Sequence, residues 1–169
     1  MIYICAQPAT LYYGWQLDTM LYNFRDIGID LTNVHIVCSF KTPIDPYFFV
    51  LEKKYNAKFF YYQDTRKQPK YISSIRPHIL AKHFQQNDYL ENTPIFYHDC
   101  DIVLARPLSL DKYLNDNINY LSDTISYIGH DYIISKGKEV LSLMSNIVGV
   151  CSCKVRANQE NSGGAQYLL

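Results

Sequence analysis

The strongest constraint on this chain is a series of short apolar runs separated by stretches of helical periodicity. Residues 2–6 are apolar and few enough for a buried strand, and Gln7-Pro8 ends it. Residues 34–40, 58–62 and 95–97 repeat that signature. Between the first two runs, Leu17, Leu21 and Phe24 recur at helical spacing within residues 13–27, and Gly28 supplies a stop. Pro43 and Pro46 mark a turn before a second helix over 46–55, with Tyr47, Val50 and Leu51 expected inward. A loop over 63–70 holds Asp64, Thr65 and Arg66. The third helix covers 74–84, with Ser74 as its cap and Pro77 in the first turn, where a missing N–H costs little. Ile75, Ile79 and His83 share one side of it. Strands alternating with crossover helices predict an α/β fold, a mainly parallel sheet with helices on both faces.

The second half is less regular. A short helical piece is expected around 111–114, a strand over 118–121 ending at Ser122-Asp123, and another strand over 132–134. Residues 138–147 read as a helix with Leu141, Met144 and Val148 on one side and Gly149 as its stop. Residues 161–166 are polar and Gly-rich and read as a loop. Tyr167-Leu168-Leu169 looks like the start of a further element, so residues 1–169 are expected to be one domain lacking a C-terminal portion.

Composition narrows the function classes. Lys and Arg number 16, Asp and Glu also 16, and the basic residues form no run, which disfavours a nucleic-acid partner. No segment approaches the roughly 20 apolar residues that span a bilayer. The N-terminal apolar run has no basic stretch before it and reads as a strand, not a signal peptide. The five cysteines show no metal-knuckle spacing. Cys5, Cys38 and Cys100 sit in apolar runs as small hydrophobes, and Cys151 and Cys153, flanking Ser152, could oxidise but read more plainly as ordinary thiols. A reducing, cytoplasmic setting is the expectation. The sixteen tyrosines suit half-buried packing, and equally sugar or base stacking.

In open α/β sheets, ligands bind beyond the carboxyl ends of the strands. The segments there are residues 6–8, 63–66, 98–101 and 122–123. One of them carries two carboxylates: Asp99 and Asp101 directly follow Ile95-Phe96-Tyr97. On an extended backbone, residues two apart point to the same side. Close carboxylates repel one another unless a cation lies between them. Oxygen ligands suit Mg²⁺ or Mn²⁺, and open coordination positions suit phosphate oxygens. The plainer reading is two solvated acids in a turn.

Residues 95–103, Ile-Phe-Tyr-His-Asp-Cys-Asp-Ile-Val, resemble the Asp-x-Asp segment of GT-A glycosyltransferases. Arg76-Pro77, Ser122-Asp123 with Tyr127-Ile128-Gly129, and Gly163-Gly164-Ala165-Gln166-Tyr167 resemble further segments of that family, in the family's order. The resemblance covers essentially the whole chain. It implies a Rossmann-like GT-A fold, a nucleotide-diphosphate-sugar donor (UDP-sugar by default), a divalent Mn²⁺ or Mg²⁺ ion, and transfer to a carbohydrate or other hydroxyl acceptor. It implies that Ala6, Gln7 and Pro8 line the nucleotide pocket and that Asp64 meets base or ribose. Arg76 would approach the donor phosphates or sugar. Asp99 would contact ribose or sugar hydroxyls and help hold the metal, and Asp101 would ligate it. Asp123, Gly163, Gly164 and Gln166 would face donor sugar or acceptor, with Asp123 and Gln166 as the catalytic candidates. The family carries further acceptor contacts and a metal ligand, commonly His, beyond the segments matched here, so activity of this chain alone stays open.

Plainer roles stand beside these. Arg76 reads equally as a surface ion-pair partner, His98 as a strand-end ring in a satisfied polar site, His35 as strand surface and Trp15 as packing. His78, His83 and His130 lack zinc spacing. No Walker or dinucleotide glycine loop is present. Two other functions compete: a non-catalytic nucleotide-sugar-binding or structural module, and a haloacid-dehalogenase-type phosphohydrolase using Asp99 as nucleophile. The second needs a later lysine and an acidic pair, and no adjacent Asp-Asp follows.

Overall fold

A computed structural model of the chain describes residues 1–41, 43–67, 71–110, 113–114 and 118–169, the Ala165 side chain excepted. They form two compact units, Met1–Asn119 with Leu168–Leu169, and Tyr120–Tyr167. The first alternates β1 (Ile2–Pro8), α1 (Leu11–Asp26), β2 (Val34–Phe40), α2 (Pro46–Lys54), β3 (Lys58–Gln63), α3 (Ile75–Gln86) and β4 (Ile95–Tyr97). The second contains β5 (Tyr120–Asp123), α4 (Ile125–Ile128), α5 (His130–Ser135), α6 (Lys138–Val148), α7 (Ser152–Ala157) and β6 (Gly163–Leu168).

In the first unit the strands lie in the order β3-β2-β1-β4. β1 pairs in parallel with both β2 and β4, in register Cys5↔Ile36 and Tyr3↔Phe96, and β2 pairs in parallel with β3. β1 is therefore central, and its near-continuous burial follows from covered faces on both sides. Tyr3 and Cys5 face the cluster formed by Leu17, Leu21 and Phe24 of α1 and Phe48 and Leu51 of α2. Ile2, Ile4 and Ala6 face the opposite cluster, with Ile75 and Ile79 of α3. Helices thus cover both faces, as the alternation predicts.

The sheet is mixed rather than mainly parallel. Leu169 and Ile95 exchange both backbone hydrogen bonds at 2.9 Å, the closed pair of an antiparallel ladder. The tail expected to be a Gly-rich loop is the strand β6 that leads into this pairing. Burial pattern reveals that a segment is a strand but not which way it runs, so a tail with few apolar residues left no signal of direction.

Other local expectations shift. The strand expected over 132–134 is part of the helix α5. The inward residues of α2 are Phe48 and Leu51, while Val50 is exposed. On α6, Leu141 and Ser145 are buried and Met144 and Val148 are exposed. Asp45, not a residue of the helix itself, caps α2 by accepting from the Tyr47 N–H at 2.9 Å. Ser74 does not cap α3: its hydroxyl donates to the Tyr71 carbonyl and accepts from Arg66. Gly28 (φ +84°) and Gly149 (φ +66°) end α1 and α6 in the left-handed region that favours glycine. Of the helical piece expected around 111–114, Asp111 and Lys112 lie outside the described residues. Cys151 and Cys153 are joined as a disulfide instead of being free thiols. Among the described residues no helix is long and apolar enough to cross a membrane.

Candidate functional site

The last rung between β1 and β4 is the His98 N–H donating to the Ile4 carbonyl at 3.0 Å. Beyond it the strand ends, and Cys100 and Asp101 form a turn. His98 and Cys100 are buried, Asp99, Ile102 and Leu104 are half-buried, the last two against the α1 cluster, and Asp101 and Val103 are exposed. Both carboxylates lie beyond the carboxyl end of β4, at a turn and not on the extended backbone that their spacing predicts.

Three contacts to neighbouring elements keep this segment in place. The His98 ring stacks on Phe96 and lies edge-on to Tyr3, and its Nδ1–H donates to the Asp99 carbonyl at 2.8 Å. Burial pushes this imidazole down to about 4, so it is neutral at physiological pH. Its Nε2 is buried with no hydrogen-bond partner. The expected satisfied polar site is therefore only half satisfied, and the ring faces the core, not the carboxylates. The Cys100 thiol donates to Gln16 Oε1 at 3.4 Å, and burial raises it to about 12, an inert thiol. Asn23 of α1 bonds both backbone groups of Leu104.

Arg76, in the first turn of α3, reaches across to Asp99, with Nη1–Oδ1 at 3.2 Å. Burial raises the Asp99 carboxyl above its ordinary value, Arg76 opposes that shift, and Asp101 adds to it. Tyr13 of α1 lies close enough to feel both Arg76 and Asp101. Two carboxylates, one neutralising guanidinium and a phenol thus share the carboxyl end of β4.

A second feature lies beyond the ends of β1, β2 and β3. Pro8, Thr10, Ser39, Lys41, Asp64 and Arg66 line a cavity of about 210 Å³ whose floor includes Ile72 and Ile75 of the approach to α3. Asp64 accepts from Arg66 Nε and Nη2, each at 2.9 Å, and has Lys41 Nζ at 3.6 Å. The Arg66 hydrogen bonds hold its carboxyl well below the usual carboxylate range. Of the three residues expected to line a nucleotide pocket after β1, only Pro8 reaches this cavity. Ala6 and Gln7 are buried, and the Gln7 amide donates to the Val37 carbonyl at 3.3 Å.

No family model, curated protein or solved structure matches this chain.

Whether the acidic pair fits a divalent cation is a question of donor set. Among the described residues no group of three or more His, Cys, Asp and Glu side chains is arranged around one point. Two carboxylates alone do not enclose a cation, but a Mg²⁺-like ion commonly takes one or two carboxylates and fills its shell with water and phosphate oxygens. Asp99 and Asp101 fit that role. Arg76 supplies positive charge beside them in the same place.

The remaining expected site residues lie in the second unit. Asp123 Oδ1 accepts from the Ile125 N–H at 3.1 Å, tying down the first turn of α4. The Ser122 hydroxyl bonds the Gly164 carbonyl and accepts from the Gln166 N–H at 3.4 Å. A Cβ on Gly163 would collide with the Leu121 side chain, so this glycine is required by strand packing. On Gly164 it would meet Ile128 Cδ1 at 3.3 Å. Trp15, expected to pack, is exposed on α1.

Sequence reading missed Lys41, Tyr13, Gln16 and Asn23. Only Arg66 left a trace, two residues after Asp64 in the loop that closes β3. The others are brought in by pairing of elements far apart in the chain.

Proposed function

We propose that this chain is the donor-binding part of a metal-dependent GT-A glycosyltransferase, taking a nucleotide-diphosphate sugar, with UDP the first base to test, and transferring the sugar to an acceptor hydroxyl. The observation that carries the reading is the Asp99–Asp101 pair beyond β4, with Arg76 3.2 Å from Asp99. A bound Mn²⁺ or Mg²⁺ would offset the charge that develops on a diphosphate leaving group. The protein's own part is positional. Asp99 and Asp101 would hold the cation, and Arg76, released from Asp99 as the cation takes its place, would turn toward a phosphate. The cavity beside β1 to β3 would hold the nucleoside, with Lys41 and the Asp64–Arg66 pair offering both hydrogen-bond polarities to base and ribose.

Calorimetric titration with UDP, with and without Mn²⁺, tests this. Binding that needs Mn²⁺ and drops at least about tenfold in Asp101→Asn is the expected outcome. Absence of binding under both conditions would reject the donor site. UDP binding that ignores both metal and mutation would favour a non-catalytic nucleotide-binding module.

A further inference from the structure

The acidic motif lies past the end of β4, at the turn of Cys100 and Asp101, so the position of its carboxylates depends on what holds the segment at either end. After the His98 rung to Ile4, α1 takes over the role of a neighbouring strand. Asn23 Nδ2 donates to the Leu104 carbonyl at 3.0 Å, and the Leu104 N–H donates to Asn23 Oδ1 at 2.9 Å. One side-chain amide thereby supplies the two-point pairing that a ladder residue would supply. It pins the far end of the segment as His98 pins the near end, and Cys100 on Gln16 steadies the middle. Asn23 lies 81 residues from Leu104 in sequence, outside the cavity lining and outside the acidic motif.

We infer that Asn23 is a positioning residue that fixes the segment carrying the Asp99 and Asp101 carboxylates for a divalent cation bound with a nucleoside diphosphate. The inference rests on the donor-site reading above. Outer partners that orient metal-binding groups typically change metal affinity by 10- to 100-fold when removed. Asn23→Ala leaves the carboxylates, Arg76 and the cavity intact and removes only the clamp.

The test is Mn²⁺ binding in the presence of UDP, followed by calorimetry and by the Mn²⁺ electron paramagnetic resonance spectrum, at a temperature where every variant is folded. Asp18→Asn serves as the stability control. It breaks the bonds that Tyr47, Tyr55 and Lys54 make to Asp18, loosening α1 against α2 away from the motif. The expected result is a loss of about tenfold or more in Mn²⁺ affinity for Asn23→Ala, with an altered spectrum of the bound ion, and no change for Asp18→Asn. Wild-type affinity in Asn23→Ala overturns the inference while leaving the donor site standing, as does an equal loss in both variants. Absence of Mn²⁺ binding in the wild type overturns the donor-site reading and this inference together.

Discussion

His35 was expected on a strand surface, yet it is fully buried and bonded to His83 of α3, with Nδ1···Nε2 at 3.0 Å. The neighbours decide the tautomers. The Asn87 amide and the Tyr62 hydroxyl both reach His83 Nδ1, at 3.3 and 2.9 Å, and leave it the acceptor. His83 Nε2–H then donates to His35 Nδ1, and His35 Nε2–H to the Tyr89 hydroxyl at 3.3 Å. A further proton on His35 Nδ1 would meet the His83 Nε2–H head-on, and burial pushes both imidazoles down to about 4. These folded-state values lie below the ordinary value of 6.5, so between the two the unfolded chain binds more protons. The contribution of the pair is complete above about 6.5 and is lost as pH falls toward about 4. Denaturant unfolding at a series of pH values should show stability dropping by a few kcal/mol across that window. The ring proton resonances of His35 and His83 should stay still between pH 7.5 and pH 5.5, where an ordinary histidine of pKa about 6.5 titrates. A mid-point near 6.5 for either ring would contradict the network.

Two glycines of one helix separate backbone from packing requirements at the scale of the element. Gly28 follows α1 with φ +84° and open space where a Cβ would be. Gly28→Ala should therefore cost about 1 kcal/mol through backbone strain alone. Gly14 lies inside α1 with ordinary backbone, but a Cβ there would sit 2.8 Å from Tyr47 Cδ1. The Tyr47 ring cannot withdraw freely, because its hydroxyl donates to Asp18 at 2.6 Å. Gly14→Ala gains up to about 1 kcal/mol of helix propensity and loses about 1–3 kcal/mol to overpacking. A net destabilisation on the order of 1 kcal/mol in urea unfolding is expected. A more stable Gly14→Ala protein would show that α2 yields. The stop at Gly28 was legible in the sequence, because the helical periodicity ends there. The demand at Gly14 was not, because Tyr47 approaches it only once α2 packs on α1.

On the scale of the whole molecule, the two units differ in how they are covered. β1 and β2 lie inside a parallel sheet with helices on both faces, so their amides open only with the first unit as a whole. The second unit leaves Leu143, Ile147 and Val148 of α6 exposed. Amide hydrogen exchange should therefore resolve two cooperative classes, the slower in β1 and β2 and the faster across α4 to α7. Uniform exchange across residues 1–169 would show a single cooperative body instead.

The sequence alone determined the order of strands and helices from β1 to β4. It follows from local periodicity, period 2 on an extended backbone and 3.6 on a helix, which needs no knowledge of neighbours. Only the tertiary structure decided the rest. The direction in which the C-terminal strand meets β4, the burial of His35 and the disulfide between Cys151 and Cys153 were settled there, as were the meeting of Arg76 with Asp99 and the clamp of Asn23 on Leu104. Each depends on which distant segment arrives beside a residue, and a hydrogen-bond partner 81 residues away leaves no mark in the local pattern.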